Sequence, residues 1–193
     1  MPSTPFGYQR RNSLRRPRYN YSQPGAYFVT FCSNKGRPLF GQIENQTMCL
    51  NPLGEIADQG WHEFAERHPE IEIDTFVVMP NHIHVLLWLR YVAETVEQTT
   101  PEKERRFSDA IAGSVSTLVG AYKSSVTHKA KRAELIPDGS LWQRSFHDHV
   151  VRNKSDLDRI RSYIHNNPAR WLEDQLHPDA SPNEFNRRWH TPS

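Results

Sequence analysis

Asn81-His82-Ile83-His84 is where this sequence concentrates its metal-binding potential. In a strand, residues two apart share a face, so both imidazoles would project side by side while Ile83 points the other way, into a core. Two rings held on a rigid strand can bind one divalent ion through Nε2 or Nδ1. A pair of surface histidines on the open face of a sheet has the same spacing, so the motif alone leaves both readings open.

The second chemical group is Arg161-Ser162-Tyr163-Ile164-His165-Asn166-Asn167-Pro168. On a helix, Tyr163 and Asn167 stand one turn apart on the same face. A phenol with a pKa near ~10 is protonated at neutral pH, so a tyrosine nucleophile needs a strong electrophile. A metal-polarised phosphodiester is one, and nearby positive charge lowers the phenol pKa. The Asn167 side-chain carbonyl could join the histidines as a third ligand, making a mixed N/O set that suits Mg²⁺ or Mn²⁺. The competing reading packs Tyr163 under the sheet and makes Asn167 the helix C-cap before Pro168.

These groups need elements to hold them. Residues 27–32 are rich in β-formers and follow Pro24-Gly25; a short strand is expected near 47–50. Apolar residues at three- and four-residue spacing (Ile56, Ala57, Trp61, Phe64) predict a helix over 53–67, starting at Asn51-Pro52. Strands 71–79 and 82–89, separated only by Pro80-Asn81, predict an antiparallel hairpin. Ile111, Val115, Leu118, Val119 and Tyr122 give the inner face of a helix over 108–132, and Pro137-Asp138-Gly139 is a turn. Residues 141–151 look extended, and Ser155 or Asp156 would cap a last helix ending near Asn167-Pro168. Trp142 and Phe146 suit a core better than base stacking. The fold class is α+β: a ferredoxin-like antiparallel sheet with helices packed on one face.

One domain, 23–178, is expected, preceded by a basic arm (1–22), interrupted by a charged excursion (91–106) and followed by a polar tail (179–193). The net charge of +2 conceals a segment that holds Arg10, Arg11, Arg15, Arg16 and Arg18 with no acidic residue, interleaved with Tyr8, Tyr19 and Tyr21. Arginine among aromatics suits a nucleic-acid backbone with bases to stack on, though a solvated basic tail has the same composition. Lys123, Arg144 and Arg152 are further candidate phosphate contacts, beside Lys129, Lys131, Arg132, Lys154, Arg159 and Arg161. No apolar run approaches the ~20 residues of a membrane span, and no signal peptide is visible. Cys32 and Cys49 are the only cysteines, expected as buried free thiols in a reducing cytoplasm.

Val78-Met79-Pro80-Asn81-His82-Ile83-His84-Val85 resembles the histidine-hydrophobe-histidine motif of HUH nucleases. Leu141-Trp142-Gln143-Arg144-Ser145-Phe146 and Tyr163-Ile164-His165-Asn166-Asn167-Pro168 resemble the later blocks of the REP-associated tyrosine transposases, a branch of the single-tyrosine HUH transposases. Three blocks in order span about 19–178. The resemblance implies the HUH endonuclease fold and a bacterial, cytoplasmic, nucleoid-associated enzyme. It implies Mg²⁺ or Mn²⁺ held by His82, His84 and Asn167, and Tyr163 attacking single-stranded DNA beside a palindromic hairpin to form a 5′-phosphotyrosine. Tyr163 is preferred to Tyr122 or Tyr91 by its place before the Asn-Pro pair. His147 and His149 depart from the family pattern and are read as incidental, with an approach of His149 to the active site left open, while Trp171-Leu172-Glu173-Asp174 resembles one branch only. An inactive hairpin-binding protein of the same fold is the alternative, and monomer and homodimer both remain open. A histidine-triad phosphoesterase would need a third histidine where Leu86 stands.

Overall fold

The computed structural model describes residues 23–90, 113–136 and 140–181. The arginine arm, the 91–106 excursion, Ile111, the 137–139 turn and most of the tail lie outside them. The described elements are β1 (Gly25–Cys32), β2 (Gly41–Glu44), β3 (Thr47–Leu50), α1 (Pro52–Arg67), β4 (Ile71–Val78), β5 (His82–Leu89), α2 (Val115–Arg132), β6 (His147–Val150) and α3 (Lys154–Asn166), closed by a 3-10 turn, Pro168–Glu173.

The main sheet runs β4-β5-β1-β6 with every neighbouring pair antiparallel. Setting aside the β2–β3 hairpin, the chain order is strand, helix, strand, strand, helix, strand, the ferredoxin-like pattern. Alternation along the central strands divides the side chains between two faces. Tyr27, Val29 and Phe31 of β1 join Ile83, Val85, Leu87 and Leu89 of β5 under α1 and α2. Helix α1 contributes Ala57, Trp61 and Phe64, and α2 contributes Val115, Leu118, Val119, Tyr122 and Val126. Trp61 stacks on Tyr122 with centroids 3.9 Å apart. Trp142 joins the same core, as expected for it, with Phe146 packed against the edge.

The expected α+β class holds, with α1 and α2 on one face; α3 adds a layer on the other. There Ile160 and Ile164 meet Ala26 and Leu86, flanked by Phe28, Val77, Trp88, Val151 and Leu157. Asn51 caps α1 by accepting from the Gly54 N–H at 2.9 Å, the start read from Asn51-Pro52. The cap of α3 is Asn153, which accepts from the Asp156 N–H at 2.9 Å, rather than Ser155 or Asp156. Capping depends on how the backbone enters the helix, which the run of adjacent polar residues at 153–156 leaves ambiguous in the sequence. Strand β2 has no clear sequence signal, because Gly41-Gln42-Ile43-Glu44 has a single strong β-former and pairs only with β3. Both cysteines are free, but Cys49 is exposed rather than buried. No described helix is long and apolar enough to cross a membrane.

Candidate active site

The tight β4–β5 turn, closed by the Met79 N–H donating to the His82 carbonyl at 2.8 Å, starts β5 at His82. Register then sets His82 opposite Cys32 and His84 opposite Thr30 of β1. Both rings lie on the α3 side of the sheet, almost wholly shielded from solvent. They converge, with Nε2 atoms 3.0 Å apart.

The groups behind the rings determine what those Nε2 atoms can do. The Asn81 amide nitrogen donates to the Gly36 and Leu176 carbonyls at 3.0 and 2.7 Å, which turns its oxygen toward His82. That oxygen accepts from His82 Nδ1 at 2.8 Å, so the Nε2 of His82 carries a lone pair. His84 Nδ1 lies 2.7 Å from the Thr30 hydroxyl, which can accept as well as donate. With Nδ1–H donating to Thr30, the Nε2 of His84 is likewise available as a ligand. Burial holds the His82 pKa down at about 4, against the pull of Asp174, and holds His84 well below its ordinary value. Both rings are neutral at pH 7, as metal ligands must be.

Asp174 completes the cluster. Its Oδ2 lies 4.0 Å from His82 Nε2, and ligand atoms of His82, His84 and Asp174 all fall within 4.8 Å of one another. Asp174 is buried and held by the Leu176 N–H, 2.6 Å from Oδ1, and by the Asn167 amide nitrogen, 2.8 Å from Oδ2. The Asn167 amide oxygen is buried with no hydrogen-bond partner. Two imidazole nitrogens, a carboxylate and an orphaned amide oxygen fit a divalent cation, and the mixed N/O donors suit Mn²⁺ or Mg²⁺ more than a thiolate-seeking ion. Sequence reasoning passed over Asp174 because it lies seven residues beyond Asn167 across a kinked turn, where no helical or strand period links the two. The signal available was an acid in the segment after Asn167-Pro168.

Tyr163, on α3, presents its hydroxyl 3.3 Å from His84 Nε2 and 3.4 Å from Asp174 Oδ2 within the same chain. Its ring meets Phe28 edge-on, and the residue as a whole remains 41% exposed. Burial of the hydroxyl end and the Asp174 charge push the phenol pKa well above its ordinary value. Tyr122 cannot play this part. It is buried on the opposite face, and its hydroxyl donates to the Ala57 carbonyl at 2.6 Å. Tyr91 lies outside the described residues.

The open cleft above these groups has a volume of about 730 Å³. It continues from Tyr163 and His84 along β6, where His147, Asp148 and His149 form part of its wall. His149 pairs with Asp156 at 2.7 Å. Most of the nearby cations are paired within the chain: Lys154 with Asp158, Arg159 with Asp156, Arg161 with Asp74 and Arg170 with Glu173. Arg144 and Arg152 are exposed without a partner among the described residues. Lys123 is elsewhere: its ammonium donates to the Gln143 carbonyl at 2.7 Å, beside the Phe31 and Trp142 rings of the other face. Burial lowers its pKa to about 8. The arm arginines 10, 11, 15, 16 and 18 lie outside the described residues.

A four-stranded antiparallel sheet with paired histidines on a central strand, faced by a tyrosine on the last described α-helix, makes this an α+β protein with a candidate metal and nucleophile site. No family profile matches the chain. An uncharacterized protein of Haemophilus influenzae is 35% identical over 181 residues, spanning 90% of this chain and 96% of the relative. A second H. influenzae protein, described as a "Putative REP-associated tyrosine transposase", is 22% identical over 89% of this chain and 91% of its own length. A solved structure of a REP-associated tyrosine transposase bound to a REP hairpin shares the fold, with a TM-score of 0.52 and 22% identity over 81% of this chain and 74% of that one. The chain is thus similar to REP-associated tyrosine transposases in sequence and in fold.

Proposed function

We propose that this protein is a metal-dependent nickase and joining enzyme for single-stranded DNA flanking a palindromic hairpin, with Tyr163 as nucleophile. The observation that carries the reading is the Tyr163 hydroxyl lying 3.3 Å from His84 Nε2, inside a buried His82–His84–Asp174 cluster. His82 and His84, with oxygen from Asp174 or Asn167, would hold Mg²⁺ or Mn²⁺, which supplies Lewis-acid polarisation of the scissile phosphate.

Asn81 and Thr30 fix the two imidazole orientations, and α3 carries the phenol to the cleft side of the cluster. The phenol oxygen loses its proton and forms a bond to phosphorus. The bond from phosphorus to the 3′ oxygen breaks, and that oxygen takes up a proton as a free 3′-hydroxyl. The 5′-phosphotyrosine keeps the bond energy, so attack by another 3′-hydroxyl rejoins DNA without ATP. Because His84 and Tyr163 meet within one chain, a monomer holds every catalytic group. The REP hairpin bound by the solved relative supports a hairpin substrate. Residues 23–178 form the catalytic domain, with the 1–22 arm adding phosphate contacts. Acting on chromosomal DNA, the protein would work in the bacterial cytoplasm at the nucleoid.

The test is incubation with single-stranded hairpin DNA and Mg²⁺ or Mn²⁺, read on a denaturing gel. A metal-dependent protein–DNA adduct is expected, absent in Tyr163→Phe and in His82→Ala. Cleavage by Tyr163→Phe at the wild-type rate would sink the assignment. Tight binding without cleavage by the wild-type protein would favour an inactive hairpin-binding protein of the same fold.

A further inference from the structure

Strand β4 carries an extra residue. Ile73 pairs with Leu87 and Thr75 with Leu86 of β5, so Asp74 between them is a β-bulge. A bulge leaves one residue out of the ladder and re-aims its side chain. Here the Asp74 carboxylate reaches the α3 side of the sheet. It accepts from Trp88 Nε1 at 2.9 Å, from Arg161 Nε at 2.8 Å and from Arg161 Nη2 at 2.6 Å. The two-pronged contact joins residues 87 apart in sequence, and Asp74 keeps only 11% of its side chain exposed. Arg161, with Trp88, holds the Asp74 carboxyl below the usual range.

Arg161 is two residues before Tyr163. At ~100° per residue the two project roughly 160° apart around the helix, on opposite flanks of the stripe formed by Ile160 and Ile164. That stripe is short, and a narrow apolar stripe on a pleated sheet resists translation better than rolling about the helix axis. Rolling α3 is the motion that would carry the Tyr163 hydroxyl into or out of the His82–His84–Asp174 cluster. The hydroxyl sits ~8 Å from the helix axis, so a roll of ~10° displaces it by more than ~1 Å. Misplacement on that scale costs about a hundredfold in rate.

We propose that the Asp74–Arg161 pair, aimed by the β4 bulge, is a positioning device that fixes the roll of α3 and so the placement of the Tyr163 hydroxyl. Arg161 is therefore a structural anchor and not a phosphate contact. Its catalytic consequence rests on Tyr163 being the nucleophile, but the placement itself can be read without any reaction.

Two variants test this: Asp74→Asn, which removes the charge and keeps the shape, and Arg161→Lys, which keeps the charge and loses the two-pronged contact. With 3-fluorotyrosine incorporated throughout, the position-163 fluorine resonance is assigned by its loss in Tyr163→Phe. In both variants that resonance should move toward its solvent-exposed value or broaden, while the Tyr122 resonance stays in place. Single-turnover adduct formation should fall at least tenfold, with hairpin-DNA affinity within twofold of wild type. An unmoved position-163 resonance in both variants would overturn the clamp, whatever the DNA chemistry shows. Loss of DNA affinity in parallel with rate in Arg161→Ala, with Arg161→Lys fully active, would overturn it in favour of a phosphate contact. If the wild-type protein forms no adduct, the nucleophile assignment fails, and the fluorine resonances still decide the clamp.

Discussion

The two faces of the β4-β5-β1-β6 sheet are built on opposite principles. Under α1 and α2, side chains such as Trp61, Phe31, Tyr122 and Ile83 are fully buried and meet in ring-on-ring contacts. Under α3 the apolar cluster is small, and beside it lie His82, His84, Asn167 and Asp174, buried and hydrogen-bonded to one another or to backbone. Burying polar groups costs free energy unless each finds a partner. The first face therefore supplies the cooperative stability that lets the second hold unfavourable groups close together. Such asymmetry is the expected signature of a functional surface on a stable scaffold.

The sharpest way to break this comparison is to damage the stabilising face alone. Trp61→Ala removes the ring stacked on Tyr122 and should cost about 3–5 kcal/mol, the usual range for a buried tryptophan, measured by urea denaturation. Below its unfolding transition, the variant should still form the DNA adduct at a rate near wild type. If adduct formation vanished while the chain remained folded, the two faces would be mechanically coupled and the division would be wrong.

The division was half legible in the sequence. The alternation over His82-Ile83-His84-Val85 and the three- and four-residue spacing in α1 showed which side of each element was apolar, and hence the core face. Tyr163 and Asn167 were legible as a pair because helical periodicity relates positions four apart. Helix α3 as a separate layer was not, since Ile160 and Ile164 show that it has an inner face without saying which side of the sheet receives it. The partners of Asp174 and the pairing of Asp74 with Arg161 were not legible for a related reason. They are joined through a kinked turn or a bulge, and no sequence period crosses either.

A smaller effect distinguishes the faces by pH. Unfolding returns His82 and His84 to water, where imidazole titrates near ~6.5, whereas in the folded chain burial keeps both pKa values depressed, that of His82 to about 4. Between those values the unfolded chain binds protons that the folded one refuses, so stability is full above about pH 6.5 and falls as pH drops toward 4. The loss by pH 4 should be about 3 kcal/mol from His82 alone in chelator-treated protein, and His82→Gln should flatten the slope. Tyr122 on the opposite face has its pKa raised by burial, so it titrates only at alkaline pH and leaves this window to the histidines. An identical slope in His82→Gln would mean that the acid sensitivity comes from surface carboxylates.

The smallest effect concerns where the polar face meets DNA. Cations already committed to a carboxylate must break that pair before they can neutralise a phosphate, which favours Arg144 and Arg152 over Arg159, Arg161 and Arg170. Each phosphate neutralised by an arginine releases condensed counterions, so losing one contact lowers the salt slope of single-strand binding by about 0.7. Arg152→Ala and Arg144→Ala should each weaken hairpin-DNA binding only a few-fold near physiological salt, with that shallower slope, and leave the single-turnover rate at saturating DNA unchanged. Arg159→Ala should leave the salt slope as it is in wild type. The reverse pattern, with Arg159 setting the slope and Arg152 silent, would mean that Asp156 gives up its arginine when DNA arrives. The strand would then run along the β6 wall past His149 and not over the loop that leads into α3.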